Sequence, residues 1–129
     1  MVEDNRKTVL IVDDTSYTRI VLRRILEPEG FTIVGEANDG HEAIDLYHKL
    51  KPMVVIMDII MPEMDGIEAL RRIRKSDPRA NVIMCSSIGQ EKMLARAISS
   101  GARDYIVKPP RADRVISAIR AILTLQQDR

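Results

Sequence analysis

Met53-Val54-Val55-Ile56-Met57-Asp58 is a run of five apolar residues closed by an acid. It is far shorter than the ~20 apolar residues needed to cross a bilayer. It also lacks the alternation of a strand with one wet face, so it reads as a strand covered on both sides within a parallel sheet. Working outward, β-like runs recur at 9–12, 31–37, 53–57, 81–86 and 104–107. Between them apolar residues follow helical spacing: Tyr17, Ile20, Val21 and Ile25; Ala43, Ile44, Tyr47 and Leu50; Ile67, Leu70 and Ile73. Leu94, Ala97 and Ile98 continue the pattern, followed by Val115, Ala118, Ile119 and Ile122. Pro28, Gly30, Pro52, Pro78 and Gly101 stand where helices should stop. The reading is an α/β fold of (βα)5 type, with right-handed crossovers placing helices on both faces of a parallel sheet.

Bulk properties agree with one such domain. The 129 residues are 45% hydrophobic and 30% charged, with a net charge of +1. That length suits a single core, and so small a charge selects neither nucleic acid nor an anionic membrane as partner. The lone cysteine, Cys85, leaves no internal disulfide and suits a reducing compartment. Residues 1–7 are polar and lack the apolar stretch of a secretory signal. The expectation is a soluble cytoplasmic protein with a polar extension at 1–7 and one domain over 8–125.

Open parallel sheets carry their sites at the C-terminal strand ends. The polar residues there are Asp13 and Asp14, Asp58, Ser86 and Lys108. Two unit charges about 4 Å apart repel by about 4 kcal/mol at an effective dielectric of about 20. Three gathered acids therefore call for a hard divalent cation, and magnesium accepts a few carboxylates plus waters. A lysine adds a mobile point charge that can pair with an anion. An oxygen nucleophile, a metal and a cation are the parts that phosphoryl transfer needs. Each residue also has a plainer reading. Asp13-Asp14 before Thr15 and Ser16 could cap the first helix, Asp58 could be turn chemistry, and Lys108-Pro109 could be a loop. Their joint position at the strand ends favours the chemical reading.

Three stretches carry a resemblance: Val9-Leu10-Ile11-Val12-Asp13-Asp14; Met57-Asp58-Ile59-Ile60-Met61-Pro62-Glu63-Met64-Asp65-Gly66; and Gly101-Ala102-Arg103-Asp104-Tyr105-Ile106-Val107-Lys108-Pro109. The chain resembles the receiver domains of two-component response regulators from about Thr8 to Leu123. The resemblance implies a flavodoxin-like three-layer sandwich with strand order 2-1-3-4-5. It implies phosphorylation of Asp58 by a histidine kinase, with Mg2+ bound by Asp14, Asp58 and the Ile60 carbonyl, and through water by Asp13. Ser86 matches the switch hydroxyl, Tyr105 the switch aromatic, and Lys108 the lysine that pairs with the phosphoryl oxygens. The Lys108-Pro109 bond is expected to be cis, an isomer that proline makes accessible. Pro110 departs from the phenylalanine usual there, and Ser87 from the usual small residue. The resemblance also implies a signalling domain that catalyses only its own phosphorylation and dephosphorylation.

The chain stops after the fifth helical pattern, which favours output through its own surface. The run Met84-Cys85-Ser86-Ser87-Ile88-Gly89-Gln90 resembles the chemotaxis-type members of the family. Their kinase belongs to the chemotaxis type, their target is a flagellar motor switch protein, and a dedicated phosphatase can complete the set. Lys92, Arg96, Arg103, Arg111, Arg114 and Arg120 would give the output face an excess of positive charge, fit for an acidic segment or simply for solvent. A relay or transcriptional receiver remains open at this point. A phosphatase of the haloacid dehalogenase type resembles Asp-x-Asp after the first strand, which is absent here. A flavodoxin phosphate loop would meet repulsion from Asp13 and Asp14.

Overall fold

The computed structural model describes residues 7–127, so all of the 1–7 extension except Lys7 lies outside the described residues. Strands β1 (Thr8–Val12), β2 (Thr32–Ala37), β3 (Val54–Asp58), β4 (Val82–Ser86) and β5 (Asp104–Val107) alternate with five α-helices. The helices are α1 (Ser16–Leu26), α2 (Gly40–Leu50), α3 (Gly66–Ser76), α4 (Glu91–Ser99) and α5 (Ala112–Gln127). All strand pairs are parallel, and the sheet order is β2-β1-β3-β4-β5, as expected. No helix among the described residues is long and apolar enough to cross a membrane.

The unbroken apolar strands follow from two cores. Leu10, Val12, Val55, Met57 and Met84 pack with Tyr47, Leu70, Ile73 and Ala97 of α2, α3 and α4. Val9, Ile11, Val54, Ile56 and Ile83 pack with Leu22, Leu26, Val115 and Ile119 of α1 and α5. Successive strand residues point to opposite faces, so both parities must be apolar when both faces are covered. The result is a three-layer sandwich.

Two helical faces differ from the sequence reading. On α1 the buried residues are Thr18, Leu22 and Leu26, while Tyr17 is 74% exposed and Ile20 48% exposed. The helix carries apolar residues on neighbouring stripes, and periodicity cannot choose between them; the turn that leads from β1 sets the rotation. On α4 only Ala97 is buried and Ile98 faces solvent. The caps likewise correct the plainer reading of the first acids. Asp39 and Asp65 cap α2 and α3 by accepting from Glu42 N and Glu68 N, each at 2.9 Å. Thr15 rather than either acid is the N-cap of α1, and Asp13 accepts from the Thr15 N–H just outside the helix at 2.9 Å.

One polar bond ties α2 to the end of α3 within a single helical layer. Buried Tyr47 donates to Asp77 Oδ2 at 2.6 Å. Burial, then the Asp77 charge, raises the Tyr47 phenol, while the same bond holds the Asp77 carboxyl below its ordinary value. A depressed carboxyl contributes stability above its unfolded pKa and loses it as pH falls through the folded one. Tyr47→Phe is therefore expected to cost about 1 to 2 kcal/mol at neutral pH. The gap between the two proteins should close as acid protonates Asp77. Urea titrations at neutral and acid pH check this, and a gap independent of pH would contradict it.

Candidate functional site

Parallel strands end at one edge, and the pairing puts two acid-bearing segments there. Asp13 follows β1 and donates its N–H to Ala37 O at 3.0 Å, while Asp58 ends β3 opposite Cys85. Asp13, Asp14 and Asp58 each offer a carboxylate oxygen within 4.8 Å of the others. Asp13 and Asp58 are buried and Asp14 is exposed. Lys108 reaches in after β5, its Nζ 2.9 Å from both Asp13 Oδ2 and Asp58 Oδ2. The Lys108-Pro109 peptide is cis, as expected.

The two buried acids are held differently. Asp13 Oδ1 accepts from Thr15 N at 2.9 Å and Thr15 Oγ1 at 2.8 Å. Its other oxygen is fully buried and meets only the Lys108 ammonium, with angles that fall short of a hydrogen bond. Asp58 accepts a directed bond from Lys108 at 2.9 Å and a long one from Ile60 N at 3.4 Å. Burial raises the Asp58 carboxyl, and neighbouring Asp13 adds to the effect; Lys108 opposes both without cancelling them. Burial alone would lower the Lys108 ammonium, but Asp58 and Asp13 outweigh it and raise its pKa. Asp14 has no hydrogen bond or ion pair among the described residues. A crowded carboxylate set, with one buried oxygen held only by an ion pair and one free acid, fits a hard, oxygen-seeking divalent cation.

Other candidates stand around this centre. Ser86 ends β4, buried, with its hydroxyl unbonded among the described residues. Beside it a cavity of about 150 Å³ is lined by Ser86, Ser87, Ile88, Glu91, Leu94 and Val107. Tyr105 lies apart from the acids, 40% exposed, with the Arg114 guanidinium 5.5 Å from its ring centre. Cys85 is buried, which pushes its thiol up to about 12 and leaves it unreactive.

With this geometry in place, a family profile for the response regulator receiver domain matches residues 9–120. The chain belongs to that family. It is a receiver domain, the phosphoryl-accepting module of two-component signalling. Among its relatives, the chemotaxis protein CheY of Thermotoga maritima is 47% identical over 90% of this chain and 97% of its own. The Bacillus subtilis protein of the same name is 49% identical over 89% and 96%. In a crystal structure of a CheX–CheY–BeF3–Mg2+ complex from Borrelia burgdorferi, the matched chain is 39% identical with a TM-score of 0.84. That match covers 90% of this chain and 88% of that one.

Several residues that build this receiver's site gave no chemical signal in the sequence. Thr15 orients Asp13, and Arg19 Nη1 donates to the Asp13 carbonyl at 2.6 Å. Gly66 reads as a turn residue in the sequence, yet a Cβ on it would meet Asp58 O at 2.1 Å. Part of the basic set is engaged by neighbouring groups. Arg103 bonds the Asn81 side chain, Arg120 pairs with Glu29 beside α1, and Arg114 pairs with Asp104.

Proposed function

We propose that Asp58 accepts the phosphoryl group, with Asp14, Asp58 and the Ile60 carbonyl holding Mg2+ and Asp13 reaching it through water. The observation that carries this reading is the Lys108 ammonium shared at 2.9 Å between Asp13 and Asp58, beside a carboxylate cluster that family membership places in a phosphoryl-accepting domain. Bound magnesium would neutralise charge on the phosphoryl oxygens. An Asp58 oxygen attacks the phosphorus of a phosphohistidine on the kinase. The P–N bond breaks as the O–P bond forms, and its electron pair stays with the imidazole. Lys108, already at the nucleophile, exchanges a carboxylate for phosphoryl oxygens. The Ser86 hydroxyl donates to another of them, and Tyr105 moves inward as Ser86 shifts. These contacts exist only in the modified state and so bias a two-state equilibrium.

The protein so read is a signalling domain with no external substrate. It takes its phosphoryl group from a chemotaxis-type histidine kinase, with a dedicated phosphatase as a further partner, and works in the cytoplasm. Its target is a flagellar motor switch protein, a reading supported by the chemotaxis relatives. Incubation with acetyl phosphate and Mg2+ is expected to add one phosphoryl group to the intact mass, and a chelator should prevent it. The modified protein should then bind an acidic switch-protein segment at least tenfold more tightly than the unmodified one. No mass gain, or a gain that is indifferent to chelation, would remove the basis of the reading; equal affinities would remove the motor target alone.

A further inference from the structure

We infer that Arg19, held by Glu36, is a positioning residue for the acidic pocket: it fixes the Asp13–Asp14 peptide and thereby aims the Asp14 carboxylate. The inference rests on the reading of this pocket as a magnesium site. Asp13 and Asp14 are adjacent in sequence but held in different ways. The Asp13 side chain is fixed by two bonds from Thr15. Asp14 is exposed and makes no bond among the described residues, so only its backbone directs it.

That backbone is clamped on both sides of Asp13, by β2 directly and by α1 through Arg19, which β2 holds. On one side the Asp13 N–H donates to Ala37 O at 3.0 Å. On the other, Arg19 Nη1 donates to Asp13 O at 2.6 Å while its Nε donates to Glu36 Oε1 at 2.9 Å. Glu36 is itself anchored, its Oε2 accepting from Arg23 Nε at 3.1 Å and Nη2 at 2.8 Å. The carbonyl that Arg19 holds belongs to the peptide joining the two acids. Rotation of that plane would swing the Asp14 side chain, and the planar guanidinium fork resists it by bonding at two points.

The charges suit this role. An unpaired guanidinium beside three acids would compete with a cation for them. Glu36 offsets the Arg19 charge at 2.9 Å, with the Arg19 side chain only 17% exposed, so the arm holds geometry without opposing the metal. A row of ion pairs joining α1 to β2 would by itself contribute little stability. The bond to the Asp13 carbonyl is what such a row does not explain.

The test uses the full unphosphorylated chain, with Mg2+ alone as the probe. Arg19→Met is expected to weaken Mg2+ binding about tenfold by calorimetry, the usual scale for residues that orient metal ligands. Without metal, amide exchange at Asp14 and Thr15 should quicken. Arg19→Lys keeps a positive charge opposite Glu36 but has no planar fork to hold Glu36 and the carbonyl together, so it should melt near the wild type and yet bind Mg2+ several-fold more weakly. Wild-type affinity in Arg19→Met or in Arg19→Lys would overturn the inference while leaving the metal site intact. Absence of Mg2+ binding in the wild type would instead overturn the reading of the site, and the inference with it.

Discussion

The Asp58→Asn protein is expected to take up no phosphoryl group under conditions that modify the wild type, and to melt at a higher temperature than wild type at neutral pH without metal. The first outcome follows from the site's other acids. Asp13 is tied by Thr15 on one oxygen and buried against Lys108 on the other. Asp14 is exposed and has no ion pair among the described residues, whereas Asp58 already faces the Lys108 ammonium. An amide at 58 is not a nucleophile of carboxylate strength. The second outcome follows from the raised Asp58 carboxyl, whose first cause is burial. A group whose folded pKa is raised stabilises the fold below its unfolded pKa and loses that contribution as pH rises through the folded one. Wild type at neutral pH therefore bears an ionisation penalty that asparagine does not. Thermal melts from neutral to acid pH should show the two proteins converge as the unfolded-state carboxyl becomes protonated. Phosphoryl label persisting on another residue would refute the assignment, and a lower melting temperature for the variant at neutral pH would refute the electrostatic account.

Gly66→Ala should destabilise the domain by about 3 kcal/mol or more, the upper range for forcing an atom into packed surroundings. Gly66 opens α3 and is buried, donating its N–H to Ile59 O at 2.7 Å. A Cβ would lie 2.1 Å from Asp58 O and 3.0 Å from both Asp58 C and Met84 Cε. Two of these three atoms are backbone of Asp58, the proposed phosphoacceptor, so relief requires the loop after β3 to move. Helix propensity alone predicts the opposite sign, since alanine is favoured over glycine by up to about 1 kcal/mol inside a helix. The direction of the change therefore separates the two arguments. A fall in melting temperature of roughly 10 °C is expected from the size scaling of unfolding entropy. A rise, or no change, would show that the loop accommodates the methyl group. Any folded fraction should also phosphorylate more slowly, because the same shift displaces Asp58.

Both variants act on one feature of the molecule. The segment running from Asp58 through Gly66 serves at once as strand end, carboxylate-bearing loop and helix entry. Close approach of α3 to β3 places Asp58 deep enough to raise its carboxyl, and Lys108 and Asp13 then form its immediate electrostatic surroundings. Holding Asp58 buried beside Asp13 is expected to cost stability, the usual relation between a fold and a functional site.

The sequence by itself determined the layer architecture and the gathering of the acids. Continuous apolar runs such as 53–57 demand a sheet buried on both faces, and strand ends in such a sheet converge at one edge. Asp13, Asp14, Asp58 and Lys108 were legible because each stands directly after an apolar run. The strand order was legible only through family motifs, since a pattern of periodicity does not say which strand lies beside which; the roles proposed for Ser86 and Tyr105 rest on the same motifs. Tertiary structure alone decided that Leu22 and Leu26, rather than Tyr17 and Ile20, face the core. It alone decided that Arg19 reaches the Asp13 carbonyl and that Gly66 lies against Asp58. The reason is physical: spacing along a chain fixes which residues share a face, but contacts between segments depend on how helices rotate and approach, and that is set by packing the whole domain at once.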